Sequence, residues 1–329
     1  MKNFYIVYNP DKDEDNRITS ELTAYIESQN GACKAMDCYS FSACDKQQVT
    51  DELESFDCIL VLGGDGTLLN VASSASHVEI PLFGINLGTV GFLTEGEITN
   101  WQTIIDRLLA DDYSMQDRMM IRGTVRTGDG KECRKRALND IVISRAGFSR
   151  LIGLDVYVNG SFLNAYDGDG IIISTPTGST GYNLSAGGPI VDPMARLMII
   201  TPVCPHSLTS KSIVLPSDAK VSIEIAKKRK TQDAASFWMP FMPLTTETVY
   251  TRQVTARIAM VMRRVSLNPK SSETIWLIRG VASVKVVVVP ASSAKTAIRS
   301  IRVPASPSVC FPRIGRQASE YFCLWQPRT

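Results

Sequence analysis

VLGGDGTLLN, residues 61–70, continues an apolar run that begins at Cys58 and stops abruptly at Gly63 and Gly64. An apolar strand, a glycine turn and a helix-competent segment, in that order, make a backbone cradle for phosphate. Gly63, Gly64 and Gly66 carry no Cβ, so main-chain N–H groups can approach an anion, and the following helix points its positive end the same way. With Thr67 they form the candidate phosphate loop. Asp65 is the odd residue there. A carboxylate repels phosphate, so its place in the cradle calls for a metal partner or a proton to collect. The bland alternative is a tight turn with Asp65 as the helix cap.

Strand and helix patterns alternate on both sides of this turn. Phe4 to Tyr8 reads as a strand, Ile18, Leu22, Tyr25 and Ile26 as one face of a helix, Cys33 to Cys38 as a strand, and Gln47 to Ser55 as a weak helix. Beyond it, Thr67 to Ser76 is predicted helical, Leu82 to Ile85 a buried strand, and Trp101, Ile104, Ile105, Leu108 and Leu109 an amphipathic helix. The alternation predicts a parallel, Rossmann-like α/β sheet over residues 1–115, with ligands at the carboxyl ends of its strands. From Met115 the period changes to that of strands. Met120 to Thr127, Ala137 to Ser144, Leu154 to Val158, Phe162 to Tyr166, Ile171 to Ser174, Ile199 to Pro202, Ile213 to Leu215 and Val221 to Ala226 are expected strands, and Asn159-Gly160 is a hairpin turn. Residues 116–236 are therefore read as a second, β-rich, sandwich-like domain.

The 329 residues carry a formal net charge of +2, which hides an asymmetry. Residues 1–236 hold 22 Lys and Arg against 30 Asp and Glu; residues 237–329 hold 13 against 3, and no Asp. The charges of this basic tail are spaced rather than clustered and lack an RNA-binding signature, which argues against nucleic acid as a partner. No apolar run approaches a bilayer span and the first 20 residues do not read as a signal peptide, so no membrane is expected and a cytoplasmic location is. Eight scattered cysteines without a CxxC pair suit a reducing compartment and argue against zinc.

Three further clusters are too polar and glycine-rich for plain loops. In GINLGTVGFLTE, residues 84–95, Phe92 and Leu93 can cover an aromatic ring, or merely the core. Asn139 and Asp140 place an amide beside a carboxylate, a pairing suited to ribose hydroxyls. In DGDGIIISTPTGSTGYNLSAGG, residues 167–188, Thr175, Thr177, Ser179 and Thr180 offer hydroxyls, Tyr182 a stacking ring and Asp169 an acceptor. A dinucleotide needs all of these. There is no Walker lysine, because GxxxxGK followed by Ser or Thr is absent, so the phosphate site must draw on backbone donors, metal, or Lys and Arg from elsewhere.

Together with ITPVCPHSLTSKSIVLP at 200–216, these motifs stand in the order and spacing of the NAD kinases, which residues 1 to about 235 resemble. The resemblance implies an enzyme with its site between an α/β domain and a β-sandwich-like domain, moving the γ-phosphoryl group of ATP, with Mg²⁺ or another divalent metal, to the 2′-hydroxyl of the adenosine ribose of NAD. It implies that Asp65 is the acid at that hydroxyl, with Gly66 beside it. It places Phe92 and Leu93 at the adenine, Asn139 and Asp140 at ribose hydroxyls, and Asp169 at the nicotinamide end. Thr180, Tyr182 and Ser185 resemble adenine and ribose contacts, and His206 stands where the family often has a histidine. A homo-oligomer, dimer or tetramer, is also implied. A single GGDGT is shared with lipid and sugar kinases, and a catalytically silent NAD(P)-binding protein is the reading from another class. After Ser236 the resemblance stops: SFW replaces an SFDG-type turn. The loss of acids there points to translation out of frame or a damaged gene end, with a lineage-specific extension as the alternative, so 237–329 is expected to be an atypical basic tail, either out of frame or poorly ordered.

Overall fold

A computed structural model of the chain describes residues 1–88, 91–127, 131–145, 151–207, 210–226, 235–238, 262–265, 275–278, 284–290 and 298–302. The first half comprises β1 (Asn3–Tyr8), α1 (Arg17–Ser28), β2 (Ala32–Asp37), α2 (Cys38–Ala43), α3 (Lys46–Leu53), β3 (Cys58–Gly63), α4 (Asp65–Ser74), β4 (Leu82–Asn86), β5 (Gly96–Glu97), α5 (Trp101–Leu109) and β6 (Ser114–Arg118). β2, β1, β3 and β4 lie side by side and parallel. Their residues alternate between two cores. Tyr5, Val7, Ile59 and Val61 pack with Phe41, Val49 and Val71 on one face, and Phe4, Ile6, Leu60 and Leu62 with Leu22, Ile26 and Ile105 on the other. This is the burial expected of a sheet covered on both faces by helices.

The second half contains β7 (Ile121–Thr127), β8 (Glu132–Ala137), β9 (Asp140–Arg145), β10 (Ile152–Val158), β11 (Ser161–Gly168), β12 (Gly170–Ser174), α6 (Tyr182–Ser185), β13 (Leu197–Val203), β14 (Ile213–Pro216) and β15 (Val221–Ile225). β16 (Ala235–Trp238), β17 (Met262–Val265), β18 (Ile275–Ile278), β19 (Val284–Pro290) and β20 (Ile298–Arg302) follow. One sheet runs β11-β10-β15-β19-β7-β8 and the other β14-β13-β12-β9-β16-β18-β17. Leu154, Val156, Val221 and Ile223 of the first face Ile141, Ile143, Ile171 and Ile173 of the second across one buried cluster, which makes this half a sandwich. Asn159 and Gly160 turn with φ of 52° and 86°, both positive as a two-residue hairpin of the primed type requires.

The structure departs from the sequence reading at several points. The α/β sheet is mixed rather than purely parallel, because β6 joins antiparallel to β20. The expected strand over 137–144 divides at Leu138 and Asn139 into β8 and β9. α2, too short to show a period, starts where Asp37 accepts the N–H groups of Tyr39 and Ser40. Within the expected tail, β19 inserts between β15 and β7, and β20 between β4 and β6. VKVVVV alternates well enough to bury Val286 and Val288 in the sandwich, and Ile301 of β20 is buried in the α/β core. Apart from β17, β18, β19 and β20, residues 239–329 lie outside the described ones. Among the described residues no helix is long and apolar enough to cross a membrane.

The two halves join through side chains beside the glycine turn. Met120 and Leu138 are buried in the same cluster as Leu68 of α4, with Leu93 packed against it, and Arg136 donates to the Ser76 carbonyl at 2.9 Å.

Candidate functional site

β1, β3 and β4 are parallel, so the loops after Tyr8, Gly63 and Asn86 emerge at one edge of the sheet. The GGDGT turn lies there, with Gly64 at the cap of α4 and Asp65 as its first residue. Asp65 does not cap its own helix. It reaches across to the 92–94 backbone: Oδ2 accepts the Phe92 N–H at 2.8 Å, and Oδ1 accepts the N–H groups of Leu93 and Thr94, both at 3.1 Å, and the Thr94 hydroxyl at 3.2 Å. A carboxylate offers about four acceptor places. Oδ1 is crowded, whereas Oδ2 carries one described hydrogen bond and can accept another donor. Gly91 permits the arrangement, since a Cβ there would stand 2.1 Å from Oδ1. Phe92, held by this hook, leaves 49% of its surface exposed, a free aromatic face at the rim.

The second polar cluster is built around Asn139 and Asp140. Thr175 N–H donates to the Asn139 carbonyl at 2.8 Å and the Thr175 hydroxyl to the Leu138 carbonyl at 2.5 Å, so the hydroxyl-rich turn after β12 is tied to the residues entering β9. Antiparallel register sets Ser174 opposite Asp140. A side chain at Gly181 would begin 3.3 Å from the Asn139 amide nitrogen and 3.8 Å from Asp140 Oδ2. Asn139 Oδ1 and Asp140 Oδ1 are buried, with no hydrogen-bond partner among the described residues. Asp140 is 1% exposed, and burial pushes its carboxyl up to about 7. Two sequestered acceptors without donors are costly in the free protein, and they are the acceptors that sugar hydroxyls would satisfy.

α6 then runs back along β12. Burial first, then neighbouring Cys204, Asp169 and Asp140, raise the Tyr182 hydroxyl above the ordinary tyrosine range. Tyr182 thus lies within electrostatic reach of both Asp140 and Asp169. Asp169 accepts a hydrogen bond from Arg145 Nε at 2.6 Å, and His206, exposed, donates its backbone N–H to the Asp167 carbonyl at 2.9 Å. Thr180 donates to the Thr177 carbonyl at 3.4 Å, and Ser185 is exposed on α6. Gly66 and Thr67 lie in the first turn of α4, where the Thr67 hydroxyl accepts from Asn9 Nδ2 at 3.2 Å. The structure thus gathers Asn139, Asp140, Thr180 and Tyr182 closely, with Leu138 beside Leu68 and Leu93, and sets Asp169 just before β12 and His206 after β13, toward the other end of that strand pair. Arg145 and Lys12 escaped the sequence reading. Each acts through tertiary proximity and carries no local motif.

Family models for the ATP-NAD kinase N-terminal and C-terminal domains match residues 15–113 and 138–236. The chain is 47% identical over 234 residues to an NAD kinase of Agathobacter rectalis, spanning 71% of this chain and 82% of that one. The chain belongs to the NAD kinase family. An NAD kinase of Lachnoclostridium phytofermentans is 45% identical over 237 residues, 71% of this chain and 82% of that one. Among solved structures, yeast NADH kinase complexed with NADH aligns with a TM-score of 0.70 at 21% identity, covering 92% of this chain and 83% of that one. An NAD kinase from Archaeoglobus fulgidus in complex with ATP aligns with a TM-score of 0.62 at 20% identity, covering 92% and 94%. These two share the fold. As a member of the NAD kinase family, the chain is a kinase that phosphorylates NAD.

Proposed function

We propose that the chain transfers the γ-phosphoryl group of ATP to the 2′-hydroxyl of the adenosine ribose of NAD, and that Asp65 takes the hydroxyl proton. The observation that carries the proposal is that Leu93 and Leu138 pack in one cluster, so that the strap holding Asp65, whose Oδ2 can take one more donor, adjoins the residues whose buried oxygens, Asn139 Oδ1 and Asp140 Oδ1, lack a donor among the described residues. A ribose hydroxyl is a poor nucleophile at neutral pH, and proton transfer to a positioned carboxylate removes that handicap. The 2′-oxygen forms its bond to the γ-phosphorus as the bond to the β–γ bridging oxygen breaks. ADP departs and the proton rests on Asp65. Asn139 and Asp140 hold ribose hydroxyls, Phe92, Leu93 and Tyr182 offer faces to the adenine, and Thr180 and Ser185 add contacts. Asp169 serves the nicotinamide end, and His206 is a further contact to NAD. Gly63, Gly64, Gly66 and Thr67 present backbone donors to the phosphates.

No three His, Cys, Asp or Glu side chains converge as ligands among the described residues. The divalent ion accordingly enters with ATP as part of that substrate, since Mg²⁺ is commonly bound through nucleotide phosphates. A homo-oligomeric, cytoplasmic enzyme completes the proposal. Incubation with NAD, ATP and Mg²⁺, followed by a NADP-specific dehydrogenase, tests the activity. NADP formation is expected; NAD binding without product would make the chain a silent NAD-binding protein, and neither binding nor product would remove the assignment altogether. Gel filtration against mass standards tests the oligomer.

A further inference from the structure

The phosphate side of the site needs a positive side chain, and the glycine turn itself contains none. Lys12, four residues past the end of β1, fills that place. Its loop is fastened to the turn: Asn9 N–H donates to the Leu62 carbonyl at 2.9 Å and Asn9 Nδ2 to Thr67 Oγ1 at 3.2 Å. Lys12 N–H and Asp13 N–H both return to the Asn9 carbonyl, at 3.0 and 3.1 Å. Asp13, buried, fixes the far end by accepting the N–H groups of Ile18 and Thr19, each at 2.9 Å. From this anchored loop the ammonium lies across two bare glycines, 2.8 Å from where a Cβ of Gly64 would stand and 3.3 Å from that of Gly88. The nearby carboxylates are engaged elsewhere. Asp11 accepts the Tyr39 hydroxyl, Asp13 holds α1, and Asp65 holds the 92–94 backbone.

We propose that Lys12 is the phosphate-binding cation of the ATP subsite, lying on the leaving-group side of the transferred phosphoryl; this rests on the function proposed above. The side follows from the anchoring. Asp65 is held by the 92–94 strap, whose Leu93 packs in one cluster with Leu138, the residue next to the proposed ribose acceptors. The described hydrogen bonds of the Lys12 loop run to the α/β half alone. In an in-line transfer the attacking oxygen and the departing ADP occupy opposite faces of the γ-phosphorus. A compact ammonium on the ADP face neutralises charge as it accumulates on the β–γ bridge.

The test compares the full-length chain with Lys12→Met, which keeps the stem and loses the charge, and Lys12→Arg. For Lys12→Met, the KM for ATP is expected to rise roughly 10- to 100-fold, the size of one charged hydrogen bond, with kcat lowered and the KM for NAD unchanged. Lys12→Arg should recover part of the loss. Calorimetric titration with ADP, without NAD, should show the same weakening for Lys12→Met while its melting temperature matches wild type. An unchanged KM for ATP together with unchanged ADP affinity would overturn the proposal. So would a rise confined to the KM for NAD, which would move Lys12 to the dinucleotide. If wild type makes no NADP, the functional reading fails, and the ADP titration of the two chains still decides Lys12.

Discussion

The glycine turn of the α/β half and the Asn139–Tyr182 cluster of the β-rich half are both polar and both belong to the proposed site, yet they stand in opposite states of satisfaction. Asp65 is met by three backbone N–H groups and a hydroxyl. Asn139 and Asp140 keep buried oxygens without a donor among the described residues. A carboxylate already solvated by the chain is preorganised and spends little on rearranging when chemistry begins. Acceptors left dry destabilise the free protein, and a ligand that supplies hydroxyls recovers that cost as binding energy.

The strongest way to break this contrast is Asp65→Asn. Turnover should fall by about 10²- to 10⁴-fold, the usual contribution of a general base. Because the new amide would also oppose the Phe92 N–H, the KM for NAD should rise as well; steady-state kinetics in both substrates would show it, and wild-type turnover would mean that Asp65 only shapes the strap. Gly91→Ala attacks the same carboxylate without changing its chemistry. Its Cβ would stand 2.1 Å from Oδ1, so the strap or the acid must shift, and displacements near 1 Å cost turnover about 10²-fold. Measured kcat, with circular dichroism to verify folding, checks it.

Asp140 sharpens the other side of the comparison. Its carboxyl, pushed up to about 7 by burial, binds a proton in the native chain more tightly than in the unfolded one. The resulting stability is complete below about pH 4, falls as pH rises, and is gone above about pH 7, a change of roughly 4 kcal/mol. Asp140→Asn should therefore melt higher than wild type at pH 8 and lose that pH dependence, while NAD affinity drops about tenfold for want of the carboxylate. Wild-type affinity for NAD should weaken from pH 8 to pH 6 as the acceptor becomes protonated; titration calorimetry at both values measures it. The smallest effect is expected at Arg302, which lies 3.7 Å from Glu95 at the rim and is largely exposed. Arg302→Ala should cost under about 1 kcal/mol in thermal unfolding.

The strands of 237–329 teach a related lesson. Family motifs end near Ser236, but β19 and β20 still find places inside two sheets, because an open edge selects alternation and β-branched residues rather than a particular sequence. Charge counts marked this stretch as foreign and could not register its strand-forming capacity.

What the sequence determined by itself was local: the apolar run into glycines, the helical periods of α1 and α5, the Asn159-Gly160 hairpin, and motifs whose residue types already state a chemistry. Sequence also supplied the reason to read Asp65 as lying in an anion cradle, because backbone freedom at the neighbouring glycines is an intrinsic property of those residues. Tertiary structure alone decided which atoms of that cradle stay free. The engagement of Asp65 by residues 92–94, the orphaned oxygens of Asn139 and Asp140, the return of Tyr182 along β12 and the placement of Lys12 over Gly64 all depend on segments far apart in the chain. No pattern of spacing encodes such meetings, since they arise from strand register and from the packing of Leu68, Leu93 and Leu138 where the two halves join.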